Sequence, residues 1–531
     1  MTNKSSLEMN LLHRMNIGDL AKRTASKYPS RTAIVFKDQR ISFKELNERC
    51  CGFAHYFEEA GIRKGDRVAF MTHNCLQYIY AWLGLAKIGA IINPLNFMLK
   101  GQEVETIISN SEPKMFFIED ALIPQLGDSI KNMKSVKTFG YIPIWGNAKP
   151  EGWVNISDYL KPNRCSEEPE VEIEDDDPAT LIYTSGTESL PKGVMNTHKN
   201  FFITVMSGLA DLDVNSADTI ILSIPLFHVA AKFLFLEAIS IGARVVLEYA
   251  PNPVEILELT QNEKITYWVY PPALYQFIAA MPNYTSYDIS SLKKCISFGA
   301  MMPPVLYEKW KTIAPGAEWR NYYGMTESSP LGSTLLPKDF ERKINTIGVP
   351  HAGIEIRIVD DQDRELPAGE AGEILMRGPS VMKGYFRNEE KTAEALRGGW
   401  LHTGDIGMFD DEGFLSFIDR KKDIIKSGGE NVSSQEVEGV LYRHDKVAQA
   451  AVIGLPHEYW GEVVSAVIVP KPGAAVTSEE IIAYCKENLA GYKVPKRVIV
   501  IEKMPVSPTG KILKRLLKAE FLKEESAGNV N

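Results

Sequence analysis

A loop near residue 190 combines the residue types that bind polyphosphates. The segment Tyr183–Val194 reads Y-T-S-G-T-E-S-L-P-K-G-V, with two glycines, four serine or threonine hydroxyls and one lysine. Backbone N–H groups, hydroxyl donors and an ammonium group are what a phosphate chain needs. The loop is not a Walker A loop, because Gly186 precedes Lys192 by six positions and Gly193 follows it. Taken alone, the pattern fits a polar surface turn equally well.

The segments on either side of this loop predict rigid elements. Ala179–Tyr183 has the short apolar run of a buried strand, and Met195–Phe202 begins a helical pattern. We therefore expect the loop to connect a strand to a helix, the usual place for a phosphate-binding loop.

Six further motifs follow this loop along the chain. They are P-L-F-H-V at Pro225–Val229, S-F-G-A-M-M-P-P at Ser297–Pro304, N-Y-Y-G-M-T-E at Asn321–Glu327, G-W-L-H-T-G-D at Gly399–Asp405, D-R-K-K-D-I-I-K-S-G-G-E-N-V at Asp419–Val432 and S-P-T-G-K-I-L-K-R at Ser507–Arg515. In type and in order, the seven motifs resemble those of the adenylate-forming (AMP-binding) superfamily, in its acyl-CoA synthetase and fatty acid–CoA ligase branch. The resemblance runs from Thr32 to Arg515.

The resemblance implies a two-step ligase that uses ATP, Mg²⁺ and coenzyme A. An acid attacks the α-phosphate of ATP to give an acyl-adenylate and pyrophosphate, and a thiol then displaces AMP. The first step requires neutralisation of charge on the triphosphate. By resemblance, Glu327 binds magnesium, for which one carboxylate suffices, Thr326 contacts the α-phosphate, and Lys511 bridges the acid and the phosphate. The residues implied to bind the β- and γ-phosphates are Thr184, Ser185, Gly186, Thr187 and Lys192.

The same resemblance assigns the nucleoside and thiol contacts. Tyr323 would stack on the adenine, Asn321 would offer its amide to the base, and Asp405 and Arg420 would bind the ribose hydroxyls. Lys422 corresponds to the hinge of the C-terminal lid. The other residues implied to bind nucleotide or coenzyme A are Gly299, Ala300, Tyr322, Gly324, Lys426, Gly428 and Gly429.

The resemblance also implies the acid pocket. Its lining would be His228, Trp268, Tyr270, Phe298, Met301 and Met325, with His228 gating the route between acid and thiol. This lining is largely apolar and has no Lys or Arg to pair a second carboxylate, which favours a monocarboxylic acid. The sequence at Ser427–Glu438 is most similar to fatty acid–CoA ligases, so a medium- or long-chain fatty acid is expected, with an aryl or arylpropenoic acid as the alternative.

Several of these residues also fit ordinary structural roles when taken alone. Lys511 and Lys422 could be solvated charges, Asp405 a turn residue, and His228 a packing residue. The chain also departs from the family at Glu188 and Ser189, where the usual loop has Thr and Gly. A carboxylate near a triphosphate repels it unless it faces solvent, magnesium or a lysine.

Composition and periodicity predict an ordinary multidomain globular protein. The 531 residues exceed the size of one core, and 44% hydrophobic with 24% charged residues is the usual balance. Alternating strand and helix signals predict an α/β fold with parallel sheets, followed from Ile354 by a small β-rich subdomain and past Asp419 by a compact α/β unit. The resemblance implies that this last unit is a mobile α+β lid. We expect an N-terminal adenylation domain at residues 1–419 and a C-terminal lid domain at 420–531.

The same features exclude other classes. A net charge of −9 argues against a nucleic-acid partner. Met1–Asn16 carries charges and has no apolar core, so a secretory signal is not expected there. Tyr78–Leu95 reads as a buried helix followed by a strand rather than as a transmembrane segment. The six cysteines have no metal-site spacing. We expect the enzyme to be cytoplasmic and to form a homodimer.

Three alternatives remain open from the sequence. The enzyme could load the phosphopantetheine of a carrier protein in place of free coenzyme A, or use the adenylate oxidatively as luciferases do. The protein could also be a nucleotide- or acyl-binding protein without catalysis, but Lys192, Glu327, Asp405, Arg420 and Lys511 argue against that reading.

Overall fold

Parallel sheets with crossover helices form the larger part of the chain, as the alternation of strand and helix signals predicts. A computed structural model describes residues 6–159, 167–184, 191–506 and 512–526. The strands up to residue 355 are β1 Thr32–Phe36, β2 Gln39–Ser42, β3 Arg67–Met71, β4 Ile91–Leu95, β5 Met115–Glu119, β6 Thr138–Ile142, β7 Val154–Asn155, β8 Pro178–Thr184, β9 Lys192–Thr197, β10 Thr219–Leu222, β11 Arg244–Leu247, β12 Tyr267–Tyr270, β13 Lys294–Phe298, β14 Glu318–Tyr323, β15 Ser333–Leu335 and β16 Val349–Pro350.

The remaining strands lie between residues 355 and 500, and the two longest of them are in the C-terminal region. They are β17 Glu355–Val359, β18 Gly372–Arg377, β19 Gly384–Tyr385, β20 Leu401–Phe409, β21 Leu415–Arg420, β22 Ile425–Ser427, β23 Glu430–Val432, β24 Val447–His457, β25 Gly461–Pro470 and β26 Arg497–Val500.

Helices separate these strands through most of the chain. They are α1 Ser6–His13, α2 Gly18–Lys27, α3 Phe43–Glu59, α4 Leu76–Lys87, α5 Gly101–Ser111, α6 His198–Asp211, α7 Val229–Ile241, α8 Pro253–Glu263, α9 Pro272–Ala280, α10 Pro304–Ile313, α11 Pro337–Phe340, α12 Glu389–Ala395, α13 Ser434–Leu441, α14 Ser478–Asn488 and α15 Lys514–Ser526. Within the described residues, none of these helices is both long enough and apolar enough to cross a membrane.

The described residues divide into two compact units. The first comprises Met1–Glu355 with Met376–Leu401, and the second comprises Ile356–Leu375 with His402–Asn531. The boundary predicted between residues 419 and 420 therefore lies inside the second unit. The β-rich segment predicted from Ile354 onward is confirmed as the sheet β17-β18-β20-β21.

Two large sheets and a layer of helices build the first unit. Among the described residues, one sheet has the order β16-β15-β14-β13-β12-β10-β11-β1-β2 and the other β19-β9-β8-β4-β3-β5-β6-β7. The strands β14, β13, β12, β10, β11 and β1 run parallel to one another. Helices α2, α3, α4, α6 and α7 contact one another, and their apolar side chains share one core with residues of both sheets. Because α4 is buried on almost every side, its sequence is apolar all round.

The second unit has its own core. Strands β23, β22, β25 and β24 form one sheet, which β26 extends by pairing with β25. Helices α13 and α14 pack against each other, and their apolar faces bury a cluster with β24 and β25 that includes Val437, Ile481 and Val452. This is the compact α/β unit that the sequence predicts beyond Asp419.

One predicted element differs in the structure. Residues 195–197, predicted to begin a helix, belong to strand β9, and α6 begins only at His198. Strand β9 pairs antiparallel with β8 and β19, and this pairing takes precedence over the local helical pattern. Thr197 then caps α6 by accepting a hydrogen bond from the backbone N–H of Asn200. The polyphosphate loop therefore joins two antiparallel strands and not a strand to a helix.

Candidate active site

The carboxyl ends of the parallel strands bring three of the motifs to one edge of the nine-stranded sheet. P-L-F-H-V follows β10, Gly299–Met301 follow β13, and Gly324–Glu327 follow β14. The last residues of β13 and β14 are in register, with Phe298 beside Tyr322. Ligands of open α/β sheets bind outside the carboxyl ends of their strands. The fold therefore places these motifs where a ligand site is expected.

The edge is open at several of the predicted positions. Gly299 and Ala300 are exposed, and Phe298, Met301, Tyr323 and Met325 are half-buried. Gly299 has a positive φ of 76°, a conformation that glycine adopts without strain. These residues can therefore contact a ligand directly.

Gly324 must be a glycine for a different reason. A Cβ atom at this position would lie 1.4 Å from the carbonyl oxygen of Pro330. Any side chain would displace the turn that carries Met325, Thr326 and Glu327. The glycine of the N-Y-Y-G-M-T-E motif is thus required by packing of the turn.

Glu327 is held in place by residues distant in sequence. The hydroxyl of Tyr385 donates a hydrogen bond of 3.0 Å to its Oε1 atom, and the backbone N–H of Met382 donates to its carbonyl oxygen at 2.8 Å. The side chain of Asn196 donates to the carbonyl oxygen of Thr326 at 2.9 Å. The carboxyl of Glu327 is buried and oriented before any ligand binds.

Tyr385 also contacts Lys192, one of the residues predicted to bind phosphate. The ammonium of Lys192 lies 5.3 Å from the centroid of the Tyr385 ring, within the range of a cation–π contact. Thr184 and Lys192, the residues that flank the loop, are register partners in the β8–β9 hairpin. Ser185, Gly186, Thr187, Glu188 and Ser189 lie outside the described residues.

Tyr385 was missed by the sequence analysis. It lies in M-K-G-Y-F, a short segment without a chemical pattern of its own. Its role arises because β19 pairs with β9, with Tyr385 beside Val194. A tyrosine between glycine and phenylalanine gave no signal from which this contact could be predicted.

The two adjacent tyrosines of the N-Y-Y-G-M-T-E motif face opposite sides of β14. Asn321 is buried, and its amide lies 3.5 Å from the carbonyl oxygen of Thr346, while Tyr323 is half-buried at the open edge. Tyr322 points the other way, because side chains alternate along a strand. Its ring stacks on Phe233 of α7 at 5.8 Å and lies 4.7 Å from that of His351. The ring of Tyr322 is thus part of the core, away from Tyr323.

Trp268 and Tyr270 also lie in the core in this structure. The indole N–H of Trp268 donates to the hydroxyl of Thr260, and its ring packs edge-on against Trp310. The hydroxyl of Tyr270 lies 2.9 Å from that of Ser223. Both side chains are at most 1% exposed, in contrast to Phe298, Met301 and Met325.

His228 forms the N-terminus of α7. Its Nδ1 atom accepts a hydrogen bond of 3.4 Å from the backbone N–H of Ala230, and the ring is half-buried. This side-chain cap orients the imidazole at the edge where the acid pocket is predicted.

In the second unit, Asp405 and Arg420 are brought together. They are register partners on β20 and β21, and the Nε atom of Arg420 lies 3.0 Å from Oδ1 of the buried Asp405. An aspartate and an arginine paired in this way can accept from and donate to neighbouring hydroxyls.

Gly428 and Gly429, predicted to bind nucleotide or coenzyme A, form the turn between β22 and β23. Gly428 has a φ of 61°, and a Cβ atom there would lie 2.6 Å from the ring of Trp460. Its N–H donates to the carbonyl oxygen of Trp460 at 2.9 Å. Gly429 also has a positive φ, of 86°, and Lys426 is exposed. The close approach of the Trp460 indole therefore explains why residue 428 is a glycine.

The structure describes the predicted hinge residue, Lys422, but not the predicted catalytic lysine, Lys511. Partial desolvation of its ammonium, together with the charge of Arg420, lowers the pKa of Lys422 below its usual value, although the residue as a whole is exposed. Lys511 lies outside the described residues. Three positions further on, the ammonium of Lys514 lies 2.7 Å from Glu438 and 2.6 Å from the hydroxyl of Ser434. These contacts anchor the start of α15 to α13.

Comparison with known proteins identifies the family. The model of the AMP-binding enzyme family matches residues 21–386, and that of the AMP-binding enzyme C-terminal domain matches residues 436–511. The chain therefore belongs to the adenylate-forming (AMP-binding) enzyme family, which confirms the resemblance read from its motifs.

Individual relatives cover almost the whole chain. A feruloyl-CoA synthase from an Amycolatopsis species is 34% identical over 96% of this chain and 100% of its own length. The long-chain-fatty-acid–CoA ligase FadD13 of Mycobacterium tuberculosis is 33% identical over 95% of this chain and 98% of its own. Among solved structures, the anthranilate CoA ligase AuaEII in complex with anthranoyl-AMP is similar with a TM-score of 0.90, at 26% identity and coverages of 96% and 98%.

Proposed function

We propose that this protein is an AMP-forming acid–thiol ligase. It joins a monocarboxylic acid to ATP as an acyl-adenylate, releases pyrophosphate, and transfers the acyl group to coenzyme A with release of AMP. The observation that carries the proposal is the link from Lys192 through Tyr385 to Glu327, beside an open edge formed by Phe298–Met301 and Tyr323–Met325. A cation and an oriented carboxyl next to an apolar edge suit a phosphorylated nucleotide joined to an acyl group.

The first step places demands on charge that these residues meet. The phosphates of ATP carry negative charge that Lys192 can neutralise, while the hydroxyl of Thr184 can donate to phosphate oxygens. The carboxyl of Glu327 is an oxygen donor of the kind that Mg²⁺ prefers, and its second-sphere partner Tyr385 fixes its orientation. Bound Mg²⁺ would supply neutralisation of phosphate charge.

The nucleoside contacts remain proposals. Tyr323 at the open edge offers a ring face to the adenine, and Asn321 lies two residues earlier on the same strand, β14. In the second unit, Asp405 with Arg420 offers an acceptor and a donor for the two ribose hydroxyls. We retain Lys511 as the lysine of the first step and Lys422 as the hinge, both as predictions.

We propose a medium- or long-chain fatty acid as the substrate. The half-buried Phe298, Met301 and Met325 are apolar, and FadD13 and other relatives are long-chain-fatty-acid–CoA ligases. An aryl or arylpropenoic acid is the second candidate, favoured by the 34% identity to a feruloyl-CoA synthase over 96% of the chain. Location in the cytoplasm and a homodimeric state stay predictions from sequence.

Mass spectrometry of the reaction products tests this proposal. Purified protein receives ATP, Mg²⁺ and coenzyme A with a panel of straight-chain and aromatic acids. Acyl-CoA with an equal amount of AMP supports the ligase and ranks the acids. Pyrophosphate with protein-bound adenylate, but without acyl-CoA, would indicate a carrier-protein acceptor. ATP binding without pyrophosphate release from any acid would contradict the enzyme and support a binding protein.

A further inference from the structure

Asn74, a buried asparagine, holds the loop that carries His228 through hydrogen bonds. Asn74 follows β3 in the eight-stranded sheet, whereas the loop follows β10 in the nine-stranded sheet. The side-chain amide of Asn74 donates to the carbonyl oxygens of Ile224 at 3.1 Å and Glu248 at 3.0 Å. Its Oδ1 atom accepts from the backbone N–H of Leu226 at 2.7 Å. One side chain thus joins the carboxyl ends of strands from both sheets.

The backbone of Asn74 contributes to this junction as well as its side chain. Its backbone N–H also donates to the carbonyl oxygen of Tyr249 at 3.1 Å, and the residue is 1% exposed. An aspartate has no N–H groups for the two carbonyls, and an alanine has neither donor nor acceptor. The backbone groups of Ile224, Leu226 and Glu248 would then be buried without these partners, which is costly.

Neighbouring side chains hold the same loop at successive positions. The hydroxyl of Tyr78 donates to the carbonyl oxygen of Leu226 at 3.2 Å. The ring of Phe97 lies edge-on to that of Phe227, with 5.5 Å between centroids. Phe97 also stacks on His73, with 3.9 Å between ring centroids. The residues just before His228 are therefore held at the backbone of Ile224 and Leu226 and at the ring of Phe227.

We infer that Asn74 is a positioning residue that presents His228 to the acyl site, an inference that rests on the proposed ligase function. Asn74 does not itself face the open edge. It acts by holding the backbone at Ile224 and Leu226, from which α7 and its imidazole cap begin. Its loss should affect the acid more than ATP, because Lys192 and Glu327, which the proposed function assigns to the phosphates and to Mg²⁺, lie on other elements.

The test compares Asn74→Ala with Asn16→Ala. Asn16 is equally buried and also hydrogen-bonds backbone groups, those of Ala86 and Gly18, away from the loop. We expect kcat/KM for the acid to fall about tenfold in Asn74→Ala while KM for ATP changes less than about twofold. Asn16→Ala should lose a similar amount of stability but keep both constants. Equal increases in KM for acid and ATP, or unchanged kinetics in Asn74→Ala, would overturn the inference.

A second readout does not depend on turnover. The amide of Leu226 donates to Asn74, so its hydrogen exchange should become about tenfold faster in Asn74→Ala and stay unchanged in Asn16→Ala. If the wild-type protein turns over no acid, the proposed function fails, yet unchanged exchange at Leu226 would separately refute the fastening role. Should Asn74→Ala not fold, Phe97→Leu weakens the same loop at Phe227. It should give a smaller loss confined to the acid, and an equal loss for ATP would count against the inference.

Discussion

The hydroxyl of Tyr385 donates a hydrogen bond of 3.0 Å to Oε1 of Glu327. The two residues come from β19 and from the turn after β14, and the same tyrosine ring faces the ammonium of Lys192. Tyr385 thereby links the candidate metal-binding carboxyl to the ammonium of Lys192, at the start of β9. A second-sphere partner of this kind fixes the geometry of a ligand without touching the substrate.

Removal of that hydroxyl should weaken the use of ATP. In Tyr385→Phe the carboxyl of Glu327 loses one oriented donor, and hydrogen bonds to a charged group contribute about 1.5–3 kcal/mol. We expect kcat/KM for ATP to fall about tenfold and the Mg²⁺ concentration for half-maximal rate to rise, with KM for the acid unchanged. Pyrophosphate release measured against each component checks this.

A matched control separates this effect from loss of any buried hydroxyl. Tyr275 is also buried, and its hydroxyl donates to the carbonyl oxygen of Ile296 at 3.1 Å. Tyr275→Phe should leave the Mg²⁺ dependence as in the wild type. If both variants shift it equally, Tyr385 has only a structural role.

Lys511 should be needed for the first half-reaction alone. Lys511→Ala removes the positive charge that is predicted to bridge acid and phosphate, so adenylate formation from acid and ATP should be abolished. A presynthesised acyl-adenylate should still react with coenzyme A. Stopped-flow or quench measurements of each half-reaction test the assignment. Equal loss in both halves would mean that Lys511 is structural.

Tyr322 should tolerate loss of its hydroxyl but not of its ring. Its hydroxyl is buried and has no hydrogen-bond partner among the described residues, so Tyr322→Phe should change the free energy of unfolding by less than about 1 kcal/mol. Tyr322→Ala removes the stack on Phe233 and should cost about 3–5 kcal/mol. Urea denaturation measures both. A large loss in Tyr322→Phe would reveal a partner for the hydroxyl, such as a bound ligand or water.

Glu248 should make stability decrease with rising pH. Burial raises the pKa of this carboxyl from 4.5 to about 8, although Ser223 and the N–H of Asn252 lower it. The folded state therefore holds a proton that the unfolded state releases, so this contribution is fully present below pH 4.5. It is lost as the pH rises to about 8, by at most about 1.4 kcal/mol per pH unit.

Comparison of Glu248→Gln with the wild type isolates this contribution. The variant carries no titrating group, so its advantage in unfolding free energy should grow between pH 4.5 and about 8 and then level off. A difference that stays flat from pH 4.5 to about 8 would mean that burial does not raise the pKa of this carboxyl in the folded protein.

Local pattern predicted most elements of the fold. The sequence predicts a buried helix and strand in Tyr78–Leu95, where the structure has α4 at Leu76–Lys87 and β4 at Ile91–Leu95. Both elements are almost wholly buried, so their continuous apolar runs could be recognised locally. The region after the polyphosphate loop was predicted less well. Residues 195–197 satisfy a helical pattern but become part of β9, because they pair with β8, and Met195 also pairs with Gly384 on β19, partners that a local window does not include.

For the candidate site, too, the sequence predicted some features and not others. Its motifs could be read in order, and the family they indicate is confirmed by the matches over residues 21–386 and 436–511. The direction of each side chain could not be read. Tyr322 and Tyr323 are equivalent in a motif, yet one stacks on Phe233 in the core and the other lies at the open edge.

The sequence by itself determined the family, the order of the elements and the residue types available for chemistry, because these depend on neighbours along the chain. Only the tertiary structure decided that Tyr385 orients Glu327 and that Asn74 holds the loop of His228. Both contacts join strands from separate parts of the chain. Their specificity lies in the directions of buried hydrogen bonds, which exist only once the sheets have formed.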